Sequence, residues 1–99
     1  DGNELSTEPA TPDEFSISKV YPNPFNPVVT IDFTVSEFSK VDISVYSTSG
    51  NLVNNLVDGQ LAPGYHSVSW NASTHPSGIY FIKLSNYQFN QVSKVVLVK

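Results

Sequence analysis

Tyr21-Pro22-Asn23-Pro24-Phe25-Asn26-Pro27 runs straight into Val28-Val29-Thr30-Ile31-Asp32-Phe33-Thr34-Val35, and the junction of these two stretches decides the fold. Three prolines in seven residues remove three backbone donors and fix three φ angles, so neither a helix nor a central strand forms over 21–27. Each residue before a proline is pushed toward extended geometry. Beyond Pro27 the apolar residues Val29, Ile31, Phe33 and Val35 recur at period two, the pattern of a strand with one buried face. A stiff lead-in thus delivers the chain into a half-buried strand.

Working outward, every later signal is also β. Phe15 to Val20 and Val41/Ile43/Val45 alternate at period two. Ser47-Thr48-Ser49-Gly50 reads as a tight turn, with glycine where positive φ costs nothing. Asn51 to Val57 is a less regular strand; Leu52, Val53, Leu56 and Val57 also fit one helical face, and its brevity between turns favours the strand. Asp58 to Gly64 reads as a loop and Tyr65 to Trp70 as a strand with His66, Val68 and Trp70 on one face. A second loop covers Asn71 to Gly78, followed by strands Ile79–Leu84 and Val92–Lys99 about a turn at Asn86 to Asn90. Seven short strands at roughly ten-residue intervals predict an all-β, antiparallel, immunoglobulin-like sandwich, with a small closed barrel as the alternative.

Composition narrows what such a domain does. Ninety-nine residues make one domain, and the absence of cysteine leaves packing alone to hold it. Residues 1–14 carry acids and prolines with Leu5 as the only large apolar side chain, the make-up of a linker from an upstream cargo domain; the sandwich is expected over 15–99. The start at Asp1, without a methionine, reads as a piece of a longer protein. Nine acidic residues against five lysines, with no arginine, give no electrostatic basis for binding nucleic acid or an anionic membrane. No apolar run approaches the ~20 residues that span a bilayer, so direct membrane insertion is not expected.

Catalysis has no footing either. His66 and His75 are the only histidines, and their spacing fits no local metal-ligand pattern. No G-x-S-x-G elbow or D-x-D-x-D run is present, and no cofactor or metal is expected. Asp32 and Asp42 alternate with apolar neighbours and read as residues of a solvated face. Trp70 alternates with Val68 and reads as a core filler, whereas Tyr46, Tyr65, Phe81, Tyr87 and Phe89 fall on outward faces or turns. Those five leave open a sugar-binding module of a secreted hydrolase.

Five segments, in order, resemble the C-terminal (type A) sorting domain of type IX secretion cargo. They are the Tyr21–Pro27 segment with its strand; Val41-Asp42-Ile43-Ser44-Val45-Tyr46 followed by Gly50, Val53 and Leu56; Leu61 to Trp70 with Gly64; Pro76-Ser77-Gly78-Ile79-Tyr80-Phe81-Ile82-Lys83-Leu84; and the lysine-bracketed end Ser93 to Lys99. The layout is also similar to the immunoglobulin-like domain of flagellar hook-capping proteins, which leaves a spacer or assembly module as an alternative. The Trp70–Gly78 loop departs from the commoner sorting-domain pattern, in which an Asp-Gly and a longer insertion are frequent.

The resemblance implies a non-catalytic address label. Its partners would be a type IX receptor or shuttle, a sortase-like peptidase and the upstream cargo in the same chain. It would act as a monomer, exported through the periplasm to the cell surface or medium. Candidates for recognition are Pro76, Gly78, Tyr80, Lys94, Val96, Val98 and Lys99. Tyr21, Pro22, Asn23, Pro24, Phe25, Asn26, Pro27, Gly50, Gly64 and Trp70 form the structural motif. A last strand at a sheet edge would offer unpaired backbone groups for strand addition.

Overall fold

A computed structural model describes residues 14–99, so the expected linker lies, but for Glu14, outside the described residues. The strands are β1 (Ser16–Tyr21), β2 (Val28–Val35), β3 (Ser39–Ser47), β4 (Leu52–Leu61), β5 (Gly64–Asn71), β6 (Gly78–Ser85) and β7 (Asn90–Leu97). They form two antiparallel sheets, β1-β2-β5 and β4-β3-β6-β7. The expected sandwich is therefore present. Its fourth strand pairs with β3, whereas in a constant-type immunoglobulin domain the fourth strand joins the sheet of the first.

Period-two alternation builds the layer between the sheets. Val29, Ile31, Phe33 and Val35 of β2 face Val41, Ile43 and Val45 of β3, Ile82 and Leu84 of β6, and Val95 and Leu97 of β7, all fully buried. Each such side chain contributes about 1.5–3 kcal/mol through the apolar surface it hides from water. In β1 the alternation is broken by a bulge between Ile17 and Lys19. Ser18 is the extra residue, so Ile17 and Val20 both pack against the core although three positions apart.

The last strand, expected over Val92–Lys99, runs Asn90–Leu97, and the largest shift of an expected boundary is in β4. The predicted loop from Asp58 to Gly64 shrinks to Ala62 and Pro63, because β4 continues to Leu61. The cause is its partner: β3 begins at Ser39, so Gly59, Gln60 and Leu61 find ladder positions opposite Val41, Lys40 and Ser39. A Lys40–Asp58 ion pair of 3.7 Å lies across the same rungs. Of the expected strand Asn51 to Val57, all but Asn51 lies in β4 rather than in a helix for the same reason, drawn to the waiting edge of β3 with register irregularities at Val53 and Leu56.

The registers define two poles. At one lie Glu14, the 36–38 loop, Ala62-Pro63 and the turn 86–89; at the other lie the Tyr21–Pro27 segment, the turn 48–51, the loop 72–77 and Lys99. On the flank shared by β1 and β7 the two sheets are stitched: the Ile17 amide donates to Gln91 Oε1 at 2.8 Å, and Phe25 forms a parallel bridge with Leu97.

Candidate recognition pole

The pole far from Glu14 gathers nearly all the residues that the sequence singles out. β1 ends at Tyr21, and beyond it the prolines keep 22–27 out of both sheets' strands but for the Phe25–Leu97 bridge, where Phe25 turns inward and is buried. Its amide donates to Val96 O at 2.9 Å, and its carbonyl accepts from Val98 N at 3.0 Å. Asn23 serves β7 with both ends of its side chain, Nδ2 donating to Lys94 O and Oδ1 accepting from Val96 N, each at 3.0 Å. The three X–Pro bonds of this segment are cis. Pro27 O accepts from Ala72 N at 2.8 Å, which ties the segment to the next loop.

Trp70 sits behind this segment, buried as its alternation requires. Its ring meets Phe25 at 5.7 Å, His75 at 5.5 Å and Tyr80 edge-on at 5.2 Å between centroids. Its Nε1 is buried with no hydrogen-bond partner, so the indole is held by packing alone. Tyr80 is buried too, and its hydroxyl donates to Pro76 O at 2.6 Å, closing the 76–80 turn. Gly78, at φ 153°, adopts a backbone that a side chain disfavours, so glycine is required where the loop enters β6.

The chain end folds back on the same loop. Lys99 N donates to Ser77 Oγ at 3.0 Å, and Lys99 Nζ donates to Ser73 O and His75 O at 2.7 Å each. Of the recognition candidates, Pro76, Gly78, Tyr80, Val96, Val98 and Lys99 thus converge on one pole. Val98 stands 52% exposed, whereas Tyr80 is interior and acts on the surface only through the loop it holds. Lys94 lies just below, exposed on the outer face of the four-stranded sheet.

The expected free terminal edge is half closed. β7 is an edge strand, with β6 on one flank only. Its outward groups at Lys94 O, Val96 N, Val96 O and Val98 N are nevertheless taken by Asn23 and Phe25. Sequence reasoning missed this pairing. The one signal was Phe25 itself, a large apolar residue stranded among prolines and asparagines, which needs a buried seat.

Other candidates stay apart from this pole. His66 stacks on Phe33 at 5.4 Å, with Nε2 2.8 Å from Ala62 O, a role at the core margin. Asp42 accepts from Ser44 Oγ at 2.7 Å and Asn55 Nδ2 at 2.8 Å. Asp32 accepts from the Tyr21 hydroxyl at 3.4 Å, and Lys19 Nζ lies 4.6 Å from the Tyr21 ring centroid. Loss of solvation raises the Tyr21 phenol above its ordinary pKa, helped by the Asp32 hydrogen bond and charge. Tyr46 and Phe81 stand directly opposite on neighbouring strands and line a shallow depression of about 350 Å³ with Lys83 and Val92. Tyr65, Tyr87 and Phe89 are exposed near the other pole and do not join them. Among the described residues no group of three or more His, Cys, Asp or Glu is placed to hold a metal, and no helix is long and apolar enough to cross a membrane.

Residues 19–99 match the sequence profile of the family described as "Secretion system C-terminal sorting domain". No curated protein matches the chain. Among solved structures it is similar to PorZ of Porphyromonas gingivalis, described as an essential bacterial surface component of the type-IX secretion system. That similarity has a TM-score of 0.60 at 21% identity and covers 82% of this chain but 11% of PorZ, so it speaks to the fold alone.

Proposed function

Since this chain belongs to the C-terminal sorting-domain family of the type IX secretion system, we propose that it is a non-catalytic label read in its folded state at the pole built by Phe25, Trp70, the 72–77 loop and the end of β7. Membership makes the domain a sorting signal for export to the cell surface or the extracellular space. The pole, its reader and the fate of the label belong to the proposal. One observation carries it: the family match spans 19–99 and so includes every segment that meets there.

In this reading a receptor or shuttle of the secretion machinery docks on exposed Val98 and the adjoining loop. A sortase-like peptidase cuts within 1–14, which tethers the upstream cargo at the opposite pole. The domain acts as a monomer. Physical chemistry supports the division of labour, because a reader at one end and a tether at the other do not compete for surface.

A reporter fused to Asp1–Lys99, expressed in a bacterium with type IX machinery, is expected at the cell surface. Val98→Asp combined with Ser77→Ala alters the pole without touching a buried apolar side chain, and is expected to leave the reporter in the periplasm. Deleting β7 is a poor substitute, because it strips Val95 and Leu97 from the core. Surface display of the double variant at the parent's level overturns the polar reading. Retention of the unmodified fusion in the periplasm favours a spacer module instead.

A further inference from the structure

The half of β7 that the proline segment leaves uncovered adjoins the Tyr46–Phe81 depression, and together they meet the two requirements of a strand-addition site. Antiparallel pairing alternates residues that bond to the neighbour with residues whose N–H and C=O point the other way. Val96 points both groups away from β6, toward Phe25 and Asn23. By that alternation Lys94, Val92 and Asn90 point outward as well. Asn23 takes Lys94 O, and among the described residues no backbone segment pairs with the outward groups of Asn90 and Val92 or with Lys94 N.

Of these residues Val92 lines the depression, and Lys94 stands exposed two residues along the same strand. Val92 is 54% exposed and lies opposite Lys83; Lys94 lies opposite Phe81, which in turn faces Tyr46. Val92, Lys83, Phe81 and Tyr46 line the hollow with the Ser47–Gly50 turn. The only ion pair among the described residues is Lys40–Asp58, so Lys83 and Lys94 stand without a carboxylate partner there, on a chain of net charge −4. An open edge supplies main-chain bonds; a hollow lined by Tyr46, Phe81, Val92 and the unneutralised Lys83, with unneutralised Lys94 farther along β7, supplies side-chain selection.

We propose that Asn90–Lys94 accepts an extended peptide segment that places a large apolar side chain over Val92 and acidic side chains beside Lys83 and Lys94. The inference rests on the sorting reading only in taking the peptide to belong to the export machinery; the site itself stands on the edge and the hollow. Charge complementarity selects the occupant. A second copy of this chain would set β7 against β7 and Lys94 near its own counterpart, which repels.

The test has two arms. In the first, the isotope-labelled 99-residue chain is titrated with an eight-residue peptide in which threonine alternates with glutamate and phenylalanine in turn, and with a control carrying lysine for glutamate. The Val92 and Lys94 amides are expected to slow in hydrogen exchange, with the glutamate peptide binding at least about tenfold more tightly. Equal binding of the two peptides, protection elsewhere, or dimerisation through β7 overturns the proposal. In the second arm the reporter fusion carries Val92→Pro, which removes one outward N–H and is tolerated on an edge. Lys83→Glu with Lys94→Glu serves beside it, reversing charge without touching the backbone.

Both variants are expected to keep the parent's melting temperature and lose at least about tenfold in surface display. Full display of the folded charge-reversal variant overturns the proposal while leaving the sorting reading intact. Failure of the unmodified fusion to be exported sinks the sorting reading, and the peptide arm still decides the site.

Discussion

Trp70 carries more of the distal pole than any other residue. Its ring is wedged among Phe25, His75 and Tyr80, so Trp70→Ala is expected to cost about 3–5 kcal/mol, read from the midpoint of chemical denaturation. Against a total of about 5–15 kcal/mol for a small domain, that leaves a marginal fold. Tyr80→Phe removes only the bond to Pro76 O, and about 0.5–1.5 kcal/mol is expected to go with it. Tyr21 offers a check of another kind. Its phenol is raised, so its neutral form is the one the fold favours, and the contribution is intact below the ordinary pKa and lost as pH rises through the higher folded value. Absorbance titration of the parent minus Tyr21→Phe is expected to show this late ionisation. Asp32→Asn is expected to bring it only part of the way back, because lost solvation is the leading cause. Alternation made the burial of Trp70 legible from sequence. The partners of its ring were not, since they come from three other segments.

Among the elements, β2, β3 and β6 could be read directly because each carries at least three large buried side chains at period two: Val29 to Val35, Val41 to Val45 and Tyr80 to Leu84. β4 could not be read to its end. Asp58, Gly59 and Gln60 have turn composition, and they extend only because a neighbouring ladder takes them in. The proline segment was legible as stiff and non-helical but not as a partial partner of β7, since a side chain that mimics backbone pairing leaves no periodic trace. Asn23 is that partner. Asn23→Ala loses two bonds to β7, and a destabilisation of about 1–3 kcal/mol is expected, at the lower end because the site is exposed. Hydrogen exchange at the Val96 amide is expected to quicken well beyond the global change. An unaltered Val96 rate would mean that Phe25 alone holds the strand.

For the molecule as a whole, the division into two poles matters most. The resemblance named the family from five ordered segments, and the match over 19–99 agrees. It could not say that the signature residues would meet at the end remote from Glu14, because that follows from strand direction and register rather than from residue type. Grafting the domain with cargo at Glu14 is expected to leave display unaffected by cargo size, whereas capping Lys99 with a folded domain is expected to abolish it. Surface labelling of the two fusions checks this.

The parallel course of β1 and β7, joined by Ile17–Gln91 and by the Phe25 bridge, has a mechanical corollary. A force drawn between Glu14 and Lys99 pulls these two strands past each other along their length, so their cross-links strain together instead of parting one at a time. Rupture under load is governed by the unfolding rate, and sliding apart several bonds at once is slower than peeling them. A domain so wired is expected to unfold more slowly when drawn between Glu14 and Lys99 than when β7 is peeled from β6.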